Sequence, residues 1–388
     1  MVVQQPASAA AGTRAAGPLG AWWKARHILC IRLDTLGDVL MTGPAMRALK
    51  ESAPQRRITL LTSPAGAEAG RLLPGVDEVL VYEAPWMKST PRRTEPDIDL
   101  SFVQSLRDSR FDAAVIFTVY SQNPLPAALL CYQAGIPRRL AHCRENPYQL
   151  LTDWIEEQEP HVFVRHEVQR QLDLVACVGA RTWDRRLSLS LPSEAFDEID
   201  ALLEPSVDRQ KPWLVMHPGA SAPSRRYPPE HFAVVAGRLA REFGCQIVFT
   251  GTASERGLIA RIQDTMHAAS HSLAGNLSLG TLATLLSRAP LLVSNNTGTI
   301  HVAAAVGTPV VDLYALTNPQ HTPWMVPRRV LFHDVPCKFC YKSLCPEGHH
   351  DCLRLVSPHR VVQAACEMLD ERRDIRPRTE LPLVHPRN

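Results

Sequence analysis

From Arg26 onward, short apolar runs alternate with stretches in which apolar residues recur every third or fourth position. The first run, HILCIR (27–32), reads as a buried strand, and VLMTGPAMRALK behind it has helical periodicity. RITLLT (57–62), EVLVY (78–82) and DAAVIF (112–117) continue the strands, with AGAEAGRLL as an intervening helix. Two stretches break the rhythm and are expected to be loops: 83–100, rich in proline and charge, and the irregular 143–163. The rhythm pauses over 189–212 and restarts with the strand WLVMH (213–217). A helix in PPEHFAVVAGRLAREFG, closed by Gly244, comes next. CQIVFTG, PLLVSN (290–295) and PVVDLY (309–314) read as strands, and SERGLIARIQDTM, LSLGTLATLLSRA and GTIHVAAAV as helices. Such alternation predicts parallel sheets covered by helices on both faces.

The expected fold is therefore α/β: two Rossmann-like, doubly wound domains facing a central cleft, with ligands at the C-terminal ends of the strands. The predicted boundaries are a mobile tail at 1–20, a first domain at 21–190, a linker at 191–212 and a second domain at 213–355. Residues 356–388 are expected to form a helix that packs back on the first domain, plus a tail.

Composition narrows the function classes. The chain has 388 residues, 45% hydrophobic and 21% charged, enough to bury real cores. The net charge of +3 (42 basic against 39 acidic) gives no reason to expect nucleic acid as a partner. No run of 18 or more apolar residues suggests a membrane span, and the N-terminus lacks the pattern of a signal peptide. A cytoplasmic location is expected, with the ten cysteines reduced.

Three turns carry candidate chemistry. The first, in IRLDTLGDVLMTGP, holds Thr35, Gly37 and Asp38 at the end of a strand. Gly37 gives conformational freedom and room for a ligand to approach. Asp38, in the first helical turn, is placed either to take a proton from a substrate hydroxyl or to serve the helix as a dipole-favoured cap. Asp34, nearer the strand, is the poorer base candidate. No G-x-G-x-x-G or P-loop string is present. The second turn, HPGASAPSRRYPPE, offers the hydroxyls of Ser221 and Ser224 and the charges of Arg225 and Arg226 before a helix. It suits an anion such as a diphosphate, or is a solvated capping loop. The third, SNNTGTIH, sets Thr297 and Gly298 at a helix start that suits a phosphate, with Asn295 and Asn296 available to sugar hydroxyls. Asn296 or Thr297 serves equally well there as a simple cap, and His301 as a structural histidine. A fourth segment carries Cys337, Cys340, Cys345 and Cys352, either a compressed structural metal site or a loop of reduced thiols.

Taken together and in order, these segments resemble glycosyltransferase family 9, the heptosyltransferase-like enzymes. IRLDTLGDVLMTGPAMRALK looks like that family's first strand and turn. HPGASAPSRRYPPE resembles its HPG-x-x-x-P-S-K-R-W-P-P-E segment, and SNNTGTIHVAAAVGTPVV its N-D-S-G-P-x-H-x-A-A-A-x-G-T-P-x-V segment. The similarity runs from about Ile28 to Met368. It implies a GT-B fold, with an acceptor domain first and a nucleotide-sugar donor domain second. It implies inverting transfer of a sugar, commonly heptose from ADP-heptose, to a lipopolysaccharide-core or other envelope glycan. By the same resemblance Asp38 is the base, with Thr35 and Gly37 lining the acceptor side. Ser221, Arg225, Asn296, Thr297, Gly298 and His301 hold the donor. No metal or other cofactor is implied, and a lipid-linked acceptor is compatible with peripheral contact at the inner membrane leaflet. Asn296 stands where the family commonly has Asp, and Arg225 where it commonly has Lys; both changes bear on donor identity. The rival readings are a GT-B sugar-nucleotide epimerase and a non-catalytic nucleotide-sugar-binding protein. A dehydrogenase is disfavoured by the missing glycine fingerprint.

Overall fold

The computed structural model describes residues 22–375 apart from 89 and 206, with side chains to residue 371. The expected tails at 1–20 and after 375 lie outside the described residues. The chain divides into two compact units, residues 1–185 and 186–388.

In the first unit the strands are β1 (His27–Arg32), β2 (Arg57–Thr62), β3 (Glu78–Val81), β4 (Ala113–Ile116), β5 (Arg139–Cys143) and β6 (Asp153–Glu156). Among the described residues they form one sheet in the order β3-β2-β1-β4-β5-β6, with parallel pairing throughout. Between them lie α1 (Leu36–Ser52), α2 (Pro64–Leu72), α3 (Asp97–Asp108) and α4 (Leu125–Gln133), and α5 (Glu167–Ala176) follows. β1 is buried from its second residue on, because helices cover both faces of a central parallel strand. Gly66 lets α2 lie close: a Cβ there would overlap the Thr62 hydroxyl and the Val39 side chain.

The second unit begins with α6 (Glu194–Leu203). Its strands are β7 (Trp213–His217), β8 (Gln246–Phe249), β9 (His271–Ser272), β10 (Leu292–Asn295), β11 (Val310–Leu313) and β12 (Arg328–Leu331). They pair in parallel in the order β12-β11-β10-β7-β8-β9. The helices are α7 (Pro229–Phe243), α8 (Arg256–Met266), α9 (Leu279–Arg288), α10 (Gly298–Ala305), α11 (Asp351–Arg354) and α12 (Pro358–Ile375). Gly244 ends α7 in the left-handed region, φ 63°, where a side chain would be strained.

Each sheet therefore reverses direction once, between β1 and β4 and between β7 and β10. The crevice beyond the strand ends at such a reversal is where doubly wound folds bind ligands.

Several expectations are corrected. The segment 191–212 is not a plain linker: α6 buries Ala195, Ile199 and Leu203 and packs on α9. The loop at 83–100 ends early, since α3 starts at Asp97, and 143–163 contains β6, an edge strand. Over its described residues the last helix, α12, packs on α7, β11 and β12 of the second unit. There Val361, Val362, Ala365 and Met368 join Tyr227, Val235 and Leu239 in one core. No helix among the described residues is long and apolar enough to cross a membrane.

Candidate functional site

At the reversal in the first sheet, β1 ends on Arg32, whose guanidinium is fully buried. Its Nε lies 2.8 Å from Asp34, one terminal nitrogen 2.7 Å from Glu167 of α5, and the other 3.2 Å from Asp38. Burial works against the charge on Arg32, but Asp34, Glu167 and Asp38 outweigh it and raise its pKa. Asp38 also closes a capping box at the start of α1. Its Oδ2 accepts from the Thr35 hydroxyl at 2.9 Å and from the Thr35 backbone N–H at 3.2 Å. The cap reading of Asp38 is thus correct in geometry. It does not exclude the chemical one, because the carboxylate keeps 18% of its surface exposed. Gly37 is simply helical and buried, so its conformational freedom is not what this turn uses.

Asp34 is more involved than its sequence position suggests. Its Oδ2 is held by Arg32, and its Oδ1 accepts from Gln122 Nε2. Burial pushes its carboxyl up to about 6 against the pull of Arg32; Asp38 and Glu167 add to the rise and Gln122 opposes it. A cavity of about 720 Å³ opens beside it. Leu33, Asp34 and Thr35 after β1 line this cavity, with Phe117 and Thr118 after β4, and Trp86, Lys88 and Gln122 from the loops.

At the reversal in the second sheet, the turn after β7 and the start of α10 are tied together. Asn295, fully buried, accepts from the Tyr227 N–H at 3.0 Å and donates to the Pro218 carbonyl at 2.7 Å. It is a staple between the two segments, not a sugar contact. Ser221 is exposed in that turn, and Arg225 is half-buried at the end of a short 3-10 turn (Pro223–Arg225). Ser224 is spent on structure: its hydroxyl donates to the Lys342 carbonyl at 2.8 Å and its N–H to the Ser343 carbonyl at 3.0 Å. Thr297 is the residue before α10, yet its side chain makes no capping bond; its Oγ1 is buried without a hydrogen-bond partner among the described residues. Gly298 opens the helix, and His301 is buried one turn on, with its ring edge-on to His321.

Asn296 donates from Nδ2 to the Asp312 carboxylate at 3.1 Å and to the His321 carbonyl at 3.0 Å. Two acceptors fix the amide orientation, so Oδ1 points away from both. Asp312, on β11, is fully buried, and burial pushes its carboxyl up to about 8, opposed by Asn296, Arg328 and Arg225. Arg32, Glu167, Gln122 and Asp312 were missed by sequence reasoning. For Arg32 and Asp312 the signal was there, a charge inside an apolar run (HILCIR, PVVDLY). Glu167 and Gln122 have no local signature.

Cys337, Cys340, Cys345 and Cys352 are free thiols. Burial and then the neighbouring Cys345, Cys337 and Cys340 push Cys352 up. Among the described residues, no group of three or more His, Cys, Asp or Glu side chains is arranged to hold a metal ion.

The profile of glycosyltransferase family 9 (heptosyltransferase) matches residues 100–350. The chain belongs to glycosyltransferase family 9. Among family relatives, lipopolysaccharide heptosyltransferase 2 of Salmonella typhimurium is 28% identical over 360 residues, 89% of this chain and 99% of that one. Two solved structures share the fold. A family 9 glycosyl transferase from Veillonella parvula aligns at TM-score 0.75 and 22% identity, covering 89% of this chain and 98% of that chain. The E. coli ADP-heptose lps heptosyltransferase II aligns at TM-score 0.69 and 24% identity, covering 89% and 99%. As a family 9 member the chain is a glycosyltransferase with a GT-B architecture of two Rossmann-like units.

Proposed function

We propose that this enzyme transfers a heptosyl group, with inversion, from ADP-heptose to a hydroxyl of a lipopolysaccharide-core acceptor. The sugar and the acceptor class come from the names of its relatives, and family membership argues against the epimerase and binding-protein alternatives. The observation that carries the mechanism is Asp38, held by Arg32 and Thr35 at the strand-end crevice of the first unit while part of it stays exposed. In this reading Asp38 takes the proton of the acceptor hydroxyl as that oxygen bonds to the anomeric carbon. The bond from that carbon to the diphosphate breaks, and the electron pair leaves with the diphosphate. Arg225, the Ser221 hydroxyl and the N–H groups opening α10 balance its charge, so no metal ion is required. Asn296 Oδ1 and the unfilled Thr297 hydroxyl meet the donor, with His301 behind them. A lipid-linked acceptor calls for peripheral contact with the inner face of the cytoplasmic membrane.

Asp38→Asn tests this. An amide keeps the size and much of the hydrogen bonding but is no base. Transfer should fall at least ~10²-fold, with nucleotide-diphosphate affinity measured by calorimetry near wild type. Transfer retained by this variant would remove Asp38 from the mechanism.

A further inference from the structure

The cavity beside β1 contains a pair of side chains that the base mechanism leaves unexplained. Gln122 sits in the loop between β4 and α4. Its Oε1 accepts from the Val119 N–H at 3.3 Å, which fixes the amide so that Nε2 donates to Asp34 Oδ1. The other Asp34 oxygen lies on Arg32. A carboxylate offers about four lone-pair sites, so two partners leave acceptor capacity on a group that lines the cavity. Trp86, half-buried, gives the same cavity an aromatic surface, and its size suits a small ligand. An aromatic face for ring C–H groups and an oriented carboxylate for hydroxyls are what a pyranose needs.

We propose that Asp34 binds a hydroxyl of the acceptor sugar neighbouring the one that reacts, and that Gln122 is the positioning residue that aims it. The inference rests on the transferase reading above and deepens it. Asp34 selects for an acceptor with a hydrogen-bond donor beside the reacting oxygen, because a site built around a carboxylate rejects a ligand that leaves it unpaired. The charged groups facing Asp34 are Arg32 on β1, Asp38 on α1 and Glu167 on α5, and Lys88 also lines the cavity. Gln122 bonds Val119 and Asp34, and the Arg32 pairs to Asp38 and Glu167 do not involve it, so Gln122 can be changed without touching the base directly.

The test uses the full-length enzyme with ADP-heptose and deacylated lipopolysaccharide-core oligosaccharides carrying no heptose or one heptose. Gln122→Ala should raise acceptor KM roughly 10-fold, with donor KM unchanged and kcat within about threefold. Asp34→Asn should raise acceptor KM further. The double variant Asp34→Asn with Gln122→Glu reverses the donor and acceptor of the pair. It restores the bond between positions 34 and 122 without restoring a carboxylate at 34, so melting temperature should recover while acceptor KM stays high. Acceptor KM unchanged in Asp34→Asn, or recovered in the double variant along with melting temperature, would reduce the pair to a structural tie. Failure of the transferase reading shows differently: the wild type would then give no transfer, or Asp38→Asn would keep it.

Discussion

Arg32 gathers three carboxylates around one guanidinium at the end of β1, and of these Asp34 is pushed up to about 6 by burial, against the pull of Arg32. Asp312 is a different case. It lies fully buried on β11 with a neutral amide as its hydrogen-bond donor, and burial pushes its carboxyl up to about 8 from an ordinary 3.8. The native state therefore holds a proton that the unfolded chain releases near pH 4. Stability contributed at this site is present below about pH 4, declines as pH rises towards 8, and is flat beyond. Asp312→Asn stays neutral and lacks that decline. It should match the wild type in thermal melts near pH 4 and exceed it at pH 8 to 9, by an amount on the order of a few kcal/mol. A difference that does not grow with pH would show Asp312 to be ionised in the folded protein. At this scale the sequence was readable for the capping position of Asp38, in the first turn of a helix. It was silent on Glu167, which reaches Arg32 from 135 positions away.

Three inner strands were legible to the residue. HILCIR, RITLLT and WLVMH coincide with β1, β2 and β7, because burial on both faces demands unbroken apolar runs. Edge strands were mixed: β3 was read as EVLVY, but β6 (DWIE) and β12 (RRVL) were not, since one open side tolerates charge. The cysteine-bearing loop was read as a metal site or idle thiols, and its observed role is to support. Phe339 and Tyr341 donate backbone N–H groups to the carbonyls of Leu316 and Thr317 after β11, and Lys342 and Ser343 accept from Ser224. The loop thus holds the turn that carries Arg225. Ser224→Ala removes a part-buried hydroxyl bond and should cost about 1 kcal/mol of stability. If the loop sets the pose of Arg225, nucleotide-diphosphate affinity should fall as well, roughly 3- to 10-fold by calorimetry. Destabilisation with unchanged affinity would make the loop a scaffold with no reach into the donor site.

Across the whole molecule the same strand order occurs twice, and each copy offers its own crevice. The residues at the two crevices differ in charge: carboxylates around Arg32 in the first unit, and Arg225 with a helix N-terminus in the second. The overall charge of +3 says nothing of this, since what a diphosphate meets is local. A ligand that binds only the folded state stabilises it by RT ln(1 + [L]/Kd), about 2.7 kcal/mol at one hundred times Kd. ADP at that concentration should therefore raise the melting temperature, and UDP, GDP and CDP should raise it less if adenine is selected. The sharper comparison is with and without EDTA. If Arg225 and the N–H groups of α10 carry the diphosphate, chelation leaves the shift intact, and Arg225→Ala weakens ADP binding by roughly 10-fold or more through loss of a charge-assisted contact. A shift that disappears in EDTA, with Arg225→Ala harmless, would mean that a divalent cation balances the leaving group in place of the protein's own cations.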